Sequence, residues 1–448
     1  MSDSLVDAVA DLVIPDAATF ASLPLPLACH VFLALPADAR GRASCVCRAW
    51  RDMLADPSLW TRLVLSVKAS SGLERAVRVL HGAAGRARGE HRQLEFLLGH
   101  VALDALLPML TAYAGSLREV HLQSVYASTT LSPPNVEAVV AAAPLLQVLT
   151  ADYVHCQWED APRMLRAEPP FALLQMRGTL DVHCFGGMDR VGPFAAALAD
   201  AALQPALFRI GLLFADVEQP VVMDALVDAA LARRLRALTL EFSPPPAAAP
   251  LARLLAEGSL VAFKIRRFPQ RAVGHDSTPL IDASGAALVA DALRVNTTLT
   301  QLVLWRANLC LDMDAAGTLL GSLVDHPSLR ELSITGENYY AEHCHMFGAA
   351  LAALIAADAP ALHILNCSAN YLRDDGLTPI VQALPLNHHL RELDMSENSM
   401  SEAFARERLL PAARANTSLR ELKCITCPSG PRAAAEAAEL VRLRGEHG

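Results

Sequence analysis

The chain has 448 residues, of which 53% are hydrophobic and 19% charged, with a formal net charge of −9. That composition supplies a large core and excludes wholesale disorder, and the negative balance argues against a dedicated nucleic-acid binder. The longest clean apolar run, Met346–Ala357, has 12 residues, short of the ~20 a membrane-spanning helix needs, so no membrane span is expected.

Residues 1–21 read as an N-terminal extension with a weak helix ending at Pro15. The segment is acidic and lacks the basic start of a signal peptide. The ten cysteines are scattered without a secretory signal, so reduced thiols are expected, and cytoplasm or nucleus is the expected compartment.

Residues 22–66 are dense in Leu, Pro and Trp. Within them VCRAWRDMLADPSLW, residues 46–60, sets Val46, Ala49, Trp50, Met53 and Leu54 on one helical face. Pro57 then disfavours helix at Asp56, and Leu59 and Trp60 follow. So much apolar mass in so short a unit implies packing into a larger core or service to a partner. The whole segment runs Leu23-Pro24, Leu27, Val31-Phe32, Leu35-Pro36, Arg40, Val46-Cys47, Trp50-Arg51, then Asp56-Pro57-Ser58-Leu59-Trp60. In order and spacing it resembles an F-box; His30, polar and directly before Val31-Phe32, is the one departure.

The resemblance implies three small helices that dock on a Skp-type adaptor. It places Leu23, Pro24, Leu27, Val31, Phe32, Leu35 and Pro36 at or near the adaptor. Val46, Trp50, Leu59 and Trp60 are then the internal core of the F-box or its joint with the rest of the chain.

Residues 67–90 form a linker with a short helical pattern (Leu73, Ala76, Val77, Leu80) and the Gly- and Arg-rich GAAGRARGEHR. After it the sequence becomes periodic. TLTQLVLWRAN, SLRELSITGEN, ALHILNCSAN, HLRELDMSEN and SLRELKCITC carry their first leucines at 299, 329, 362, 390 and 419. Each follows L-x-x-L-x-Φ, Φ being apolar, and Asn308, Asn338, Asn370 and Asn398 close four of the five. This is a leucine-rich repeat with a strand-plus-helix unit of about 28–30 residues. It overrides the roughly three domains that length alone suggests.

The last two apolar positions share one strand face, and the Asn side chain turns onto nearby backbone as the chain leaves the strand. Weaker copies lie at SLREVHLQSV, LQVLTAD, LFRIGLLFAD, LRALTLEF and LVAFKIRRF, with FALLQM and HRQLEFLL more degenerate. The array spans 91–430, about eleven or twelve units, with SPPPAAAP and RRFPQRAVGHDSTP as loops and a C-terminal capping helix over 431–448. The expected fold is therefore α/β, a three-helix F-box followed by a leucine-rich-repeat solenoid of horseshoe form.

No phosphate-binding, dinucleotide, nucleophile-elbow or zinc-protease motif occurs. Cys424-x-x-Cys427 has zinc half-site spacing but no second pair, and His343-Cys344-His345 reads as a loop or helix start. No metal or cofactor is expected, and no enzymatic activity. The Arg-Glu pairs Arg118-Glu119, Arg330-Glu331, Arg391-Glu392 and Arg420-Glu421 read as a solvated charge ladder on the open face. Lys264, Arg266 and Arg267 with Trp305 and Arg306 depart from that ladder. They are the candidate target-binding patch, suited to an acidic or phosphorylated peptide; the more acidic Asp394, Glu397 and Glu402 form a competing patch.

An F-box followed by leucine-rich repeats resembles the substrate receptors of SCF-type ubiquitin ligases. That resemblance implies a Skp adaptor and, through it, a cullin as partners, plus an unidentified target protein. A scaffold outside ubiquitination, or a small-GTPase regulator, is the alternative.

Overall fold

The L-x-x-L-x-L stretches are parallel strands, because an α-helical return between them forces every strand to run the same way. In the computed structural model, residues 32, 37–46, 48–67, 92–98, 106–124, 131–157, 159–184, 191–212, 220–242, 247–267, 279–336, 344–424 and 432–447 are described. The extension 1–21, most of the linker 67–90, the stretch 268–278, Asn338, Cys427 and six of the seven expected adaptor residues lie outside them. The chain divides into two compact units, residues 1–155 with 167–179, and residues 156–166 with 180–448. Among the described residues, thirteen strands hydrogen-bond in chain order.

The first unit opens with α1 (Ala37–Ala43), α2 (Arg48–Met53) and a 3-10 turn at Pro57–Trp60. β1 (Arg62–Val67) follows at once, then β2 (Gln93–Leu98), α3 (Leu107–Ala112), β3 (Glu119–Ser124), α4 (Pro133–Ala142) and β4 (Val148–Gln157). β1 was not among the expected repeats. Trp60 fills the first apolar slot of its Φ-x-x-L-x-L, so the repeat array begins inside the 22–66 segment. Leu63 pairs with Leu94, Leu94 with Val120 and Val120 with Leu149.

The second unit takes in α5 (Ala161–Leu165) and the latter half of β5 (Leu174–Cys184), then α6 (Val191–Ala199), β6 (Leu207–Leu212), α7 (Pro220–Arg233) and β7 (Ala237–Phe242). α8 (Ala248–Glu257), β8 (Ala262–Arg267), α9 (Ala283–Val295), β9 (Gln301–Trp305), α10 (Met313–Gly321) and β10 (Glu331–Ile334) continue it. It ends with α11 (Cys344–Ala356), β11 (Ile364–Asn366), α12 (Arg373–Ala383), β12 (Glu392–Asp394), α13 (Glu402–Phe404), α14 (Leu410–Ala415), β13 (Glu421–Lys423) and α15 (Arg432–His447). The expected loop 243–250 is shorter than read, since Ala248 and Pro250 already belong to α8; proline is tolerated in a first helical turn.

One residue per repeat stays in register throughout: Phe208, Leu238, Phe263, Leu302, Leu332, Leu365, Leu393 and Leu422 are successive strand partners. All eight are at most 5% exposed, so they form one continuous stripe of core. Small residues let the helices close over it. A methyl group on Gly348 of α11 would lie 1.8 Å from the Gly376 carbonyl oxygen of α12, so glycine sets that spacing.

Two ladders of buried amides tie the repeats together. Where the chain leaves a strand, Asn370 Nδ2 donates to the Ile334 and Cys367 carbonyls at 2.7 and 2.9 Å. Asn398 repeats this on Cys367 and Met395, and its Oδ1 accepts from the Asn370 amide at 3.1 Å. The second ladder was not anticipated. Asn296, Asn387 and Asn416 stand three residues before the first leucine, and each Oδ1 accepts from that leucine's amide at 2.7–2.8 Å. Each Nδ2 donates back to an earlier carbonyl: Leu255, Ile355 and Leu384. His326 takes the same place in its unit, with Nδ1 accepting from the Leu329 amide at 3.2 Å.

Candidate functional site

The N-terminal helical segment is organised around one buried arginine. Arg40 of α1 is fully buried, and its guanidinium donates to the Leu59 carbonyl and, at 3.1 Å, to the Arg62 carbonyl. Burial, then the nearby Arg62, lowers its pKa to about 10. It therefore pins the Pro57–Trp60 turn to the start of β1 with charge-assisted bonds. Trp60 is buried and donates from Nε1 to the Leu54 carbonyl at 2.7 Å. Phe32 is buried too, edge-on to the half-exposed Trp50, with ring centres 5.5 Å apart at 78°, a favoured aromatic geometry.

On the open face of the second unit, opposite the core stripe, a row of charges crosses four strands and meets Trp305 on a fifth. Asp181 of β5 lies 3.4 Å from Arg209 of β6. Arg209 donates from Nε to Glu241 of β7 at 2.7 Å, with a second contact through Nη2. Glu241 also receives Arg266 of β8 at 3.4 Å. Strand register explains the order: Gly211, Glu241, Arg266 and Trp305 are successive partners. Gly211 leaves its slot without a side chain, so Arg209, two residues earlier on the same face, reaches over the gap. Asp181 and Glu241 are both buried, and a buried carboxylate survives only when paired.

The row ends on an indole in contact with two cations. The guanidinium carbon of Arg266 lies 3.8 Å from the Trp305 ring centre and that of Arg306 4.2 Å. Both guanidiniums therefore lie within cation–π range of one indole. Arg306 has a left-handed backbone, φ 59°, and this turns it out of the strand path and back over Trp305.

Residues 20–66 match the F-box-like family model. The chain carries an F-box ahead of its repeats. No curated protein matches it. Among solved structures it is similar to that of the Rad7 and Elc1 complex in yeast, at 13% identity and a TM-score of 0.34, covering 82% of this chain and 90% of that one; at that score the likeness carries no argument.

In the F-box, Leu59 and Trp60 are core, but two expectations change. Phe32, expected at the adaptor, is 1% exposed and belongs with the internal core. Val46, expected in the core, is 65% exposed, as the turn after α1 swings it outward. Leu23, Pro24, Leu27, Val31, Leu35 and Pro36 lie outside the described residues. Arg40, Asp181, Arg209 and Glu241 were not singled out from sequence. Arg40 gave a signal, its fixed place in the F-box pattern; the other three needed the register.

The target-binding candidates divide. Lys264, Arg266 and Trp305 share the open face, and Arg306 joins them. Arg267 does not: strand alternation sends it to the opposite face, where it is 4% exposed. The acidic patch also divides. Glu402 accepts from the Ala433 amide at the start of α15 and pairs with Arg406 at 2.7 Å, so its task is structural. Asp394 instead lines a groove of about 400 Å³ with Glu331, Glu392, Glu421 and Lys423. Cys424 is buried, with Sγ directed at the Ala434 carbonyl, and burial pushes its thiol up to about 12; it is core rather than a ligand. Among the described residues no three His, Cys, Asp or Glu side chains gather as metal ligands, and no helix is long and apolar enough to cross a membrane.

Proposed function

We propose that this chain is the substrate-recognition subunit of an SCF-type ubiquitin ligase. It binds a Skp-type adaptor through the F-box and, through the adaptor, a cullin; the repeats hold a target protein. The observation that carries this reading is the F-box match over residues 20–66 running directly into the first strand of a repeat sheet. The chain contributes position rather than chemistry: a target held beside a charged ubiquitin-transfer enzyme reacts at raised effective concentration.

The test is affinity purification from cells of the full chain and of a form lacking residues 22–56, with protein turnover measured alongside. The reading predicts that adaptor and cullin co-purify with the full chain alone, and that at least one protein bound by both forms is stabilised by the shortened one. Recovery of adaptor without cullin supports a scaffold instead. Recovery of neither overturns the reading.

A further inference from the structure

We propose that the groove on the open face of β9 to β13 holds a cationic side chain, arginine or lysine, of a bound peptide. This deepens the receptor reading and rests on it. Strand register builds the groove in two rows. Glu331, Ile364, Glu392 and Glu421 are successive partners on β10 to β13, and so are Ser333, Asn366, Asp394 and Lys423. Alternate strand residues share a face, so both rows look out opposite the core stripe. With Val303 they line the cavity of about 400 Å³. Ile364 lies between Glu331 and Glu392, one strand from each.

Four carboxylates line this groove with one ammonium, and that ammonium is already engaged: Lys423 pairs with Glu421 at 2.8 Å. Glu331 and Glu392 are half-buried, and among the described residues their carboxylates form no hydrogen bond or ion pair. A second kind of acceptor stands beside them. Ser333 is 7% exposed and lines the groove, and its hydroxyl makes no hydrogen bond. A buried hydroxyl without a partner carries a cost that a ligand's N–H removes. Ile364 supplies the apolar strip, since lysine and arginine lay their methylene stems on apolar surface while the charged end finds polar partners. The cation already present feels the same field. The pKa of Lys423 is raised by its hydrogen bond to Glu421, then by the charges of Glu421, Asp394 and Glu392. Among the described residues no three of these carboxylates gather as metal ligands, which favours an organic cation over a metal ion.

The test is fluorescence anisotropy of labelled peptides titrated with the full chain. The peptides are built of Gly, Ser and Ala and carry two arginines, two lysines or, as control, two glutamines. The arginine or the lysine peptide is expected to bind at least tenfold more tightly than the glutamine peptide, and either supports the inference. Glu331→Gln combined with Glu392→Gln should weaken that binding about tenfold. Glu257→Gln combined with Glu407→Gln removes the same charge from exposed helical positions and should leave affinity within about twofold. This comparison separates the groove from the overall negative charge of the chain. Ser333→Ala alters no charge and should weaken binding about threefold. Binding no tighter than the glutamine control, equal loss in the two double variants, or unchanged affinity with Ser333→Ala overturns the inference. Adaptor binding by the same protein is measured in parallel. Adaptor without peptide leaves the receptor reading and removes this inference; peptide without adaptor does the reverse.

Discussion

His326 occupies a place that three other repeats give to asparagine. An amide accepts from the strand backbone through oxygen and donates to an earlier repeat through nitrogen, so both ends are satisfied. The imidazole accepts through Nδ1, but Nε2 is buried without a hydrogen-bond partner. Burial holds the pKa of His326 below its ordinary value. A group whose folded pKa is depressed and which is buried neutral binds more protons when unfolded. Stability is therefore fully present above about 6.5, the usual imidazole value, and falls as the pH drops through that value towards the folded pKa. Protonated Nδ1 also ceases to accept from Ser328 and Leu329. His326→Asn is expected to raise stability by about 1 kcal/mol at neutral pH and to flatten part of the acid loss between pH 7 and 5. Urea midpoints of both proteins at the two pH values check this; an unchanged difference removes the argument. The second ladder is visible in the sequence as N-x-x-L at residues 296, 387 and 416. Asparagine before a strand also suits an ordinary exposed turn, so spacing alone does not mark it as buried.

At the scale of elements, the open end of the array is closed by α15. Ala434, Ala437 and Val441 are fully buried, Glu402 holds its first turn, and Arg444 reaches the Ala413 carbonyl at 3.1 Å. Ending the chain before Arg432 should cost on the order of 3 kcal/mol from the apolar area exposed. It should also bring Cys424 within reach of maleimide, since α15 covers the thiol and the Ala434 carbonyl accepts from it. Mass spectrometry of labelled peptides reads this directly; equally slow labelling of Cys424 in both forms contradicts the cap. The strand positions from 299 onward and the exit asparagines Asn370 and Asn398 were legible because regular L-x-x-L-x-L fixes them. β1 was not, because Trp60 belongs to two patterns at once. Arg267 was misplaced because a run of cations hides the two-residue alternation that decides which face each takes. The row Asp181–Arg209–Glu241–Arg266 was invisible for another reason: its members are brought together by register between strands and by no local motif.

For the molecule as a whole, the surfaces proposed for recruitment and for recognition fall in different stretches of the chain. Arg40 and Trp60 weld the F-box to β1 in the first unit, while the groove lined by Glu331 and Glu392 belongs to the second. The described F-box interior is filled by Phe32, Leu54, Leu59 and Trp60; on the function proposed above other F-box residues meet the adaptor, and Leu27 is a candidate that the F-box resemblance names. Calorimetric titration of a purified Skp-type adaptor into the full chain, Leu27→Asp and Arg306→Gln tests this most directly. The account predicts binding tighter than about 1 μM for the full chain and for Arg306→Gln, weakened about a hundredfold by Leu27→Asp. No binding by the full chain, or equal binding by Leu27→Asp, would contradict it.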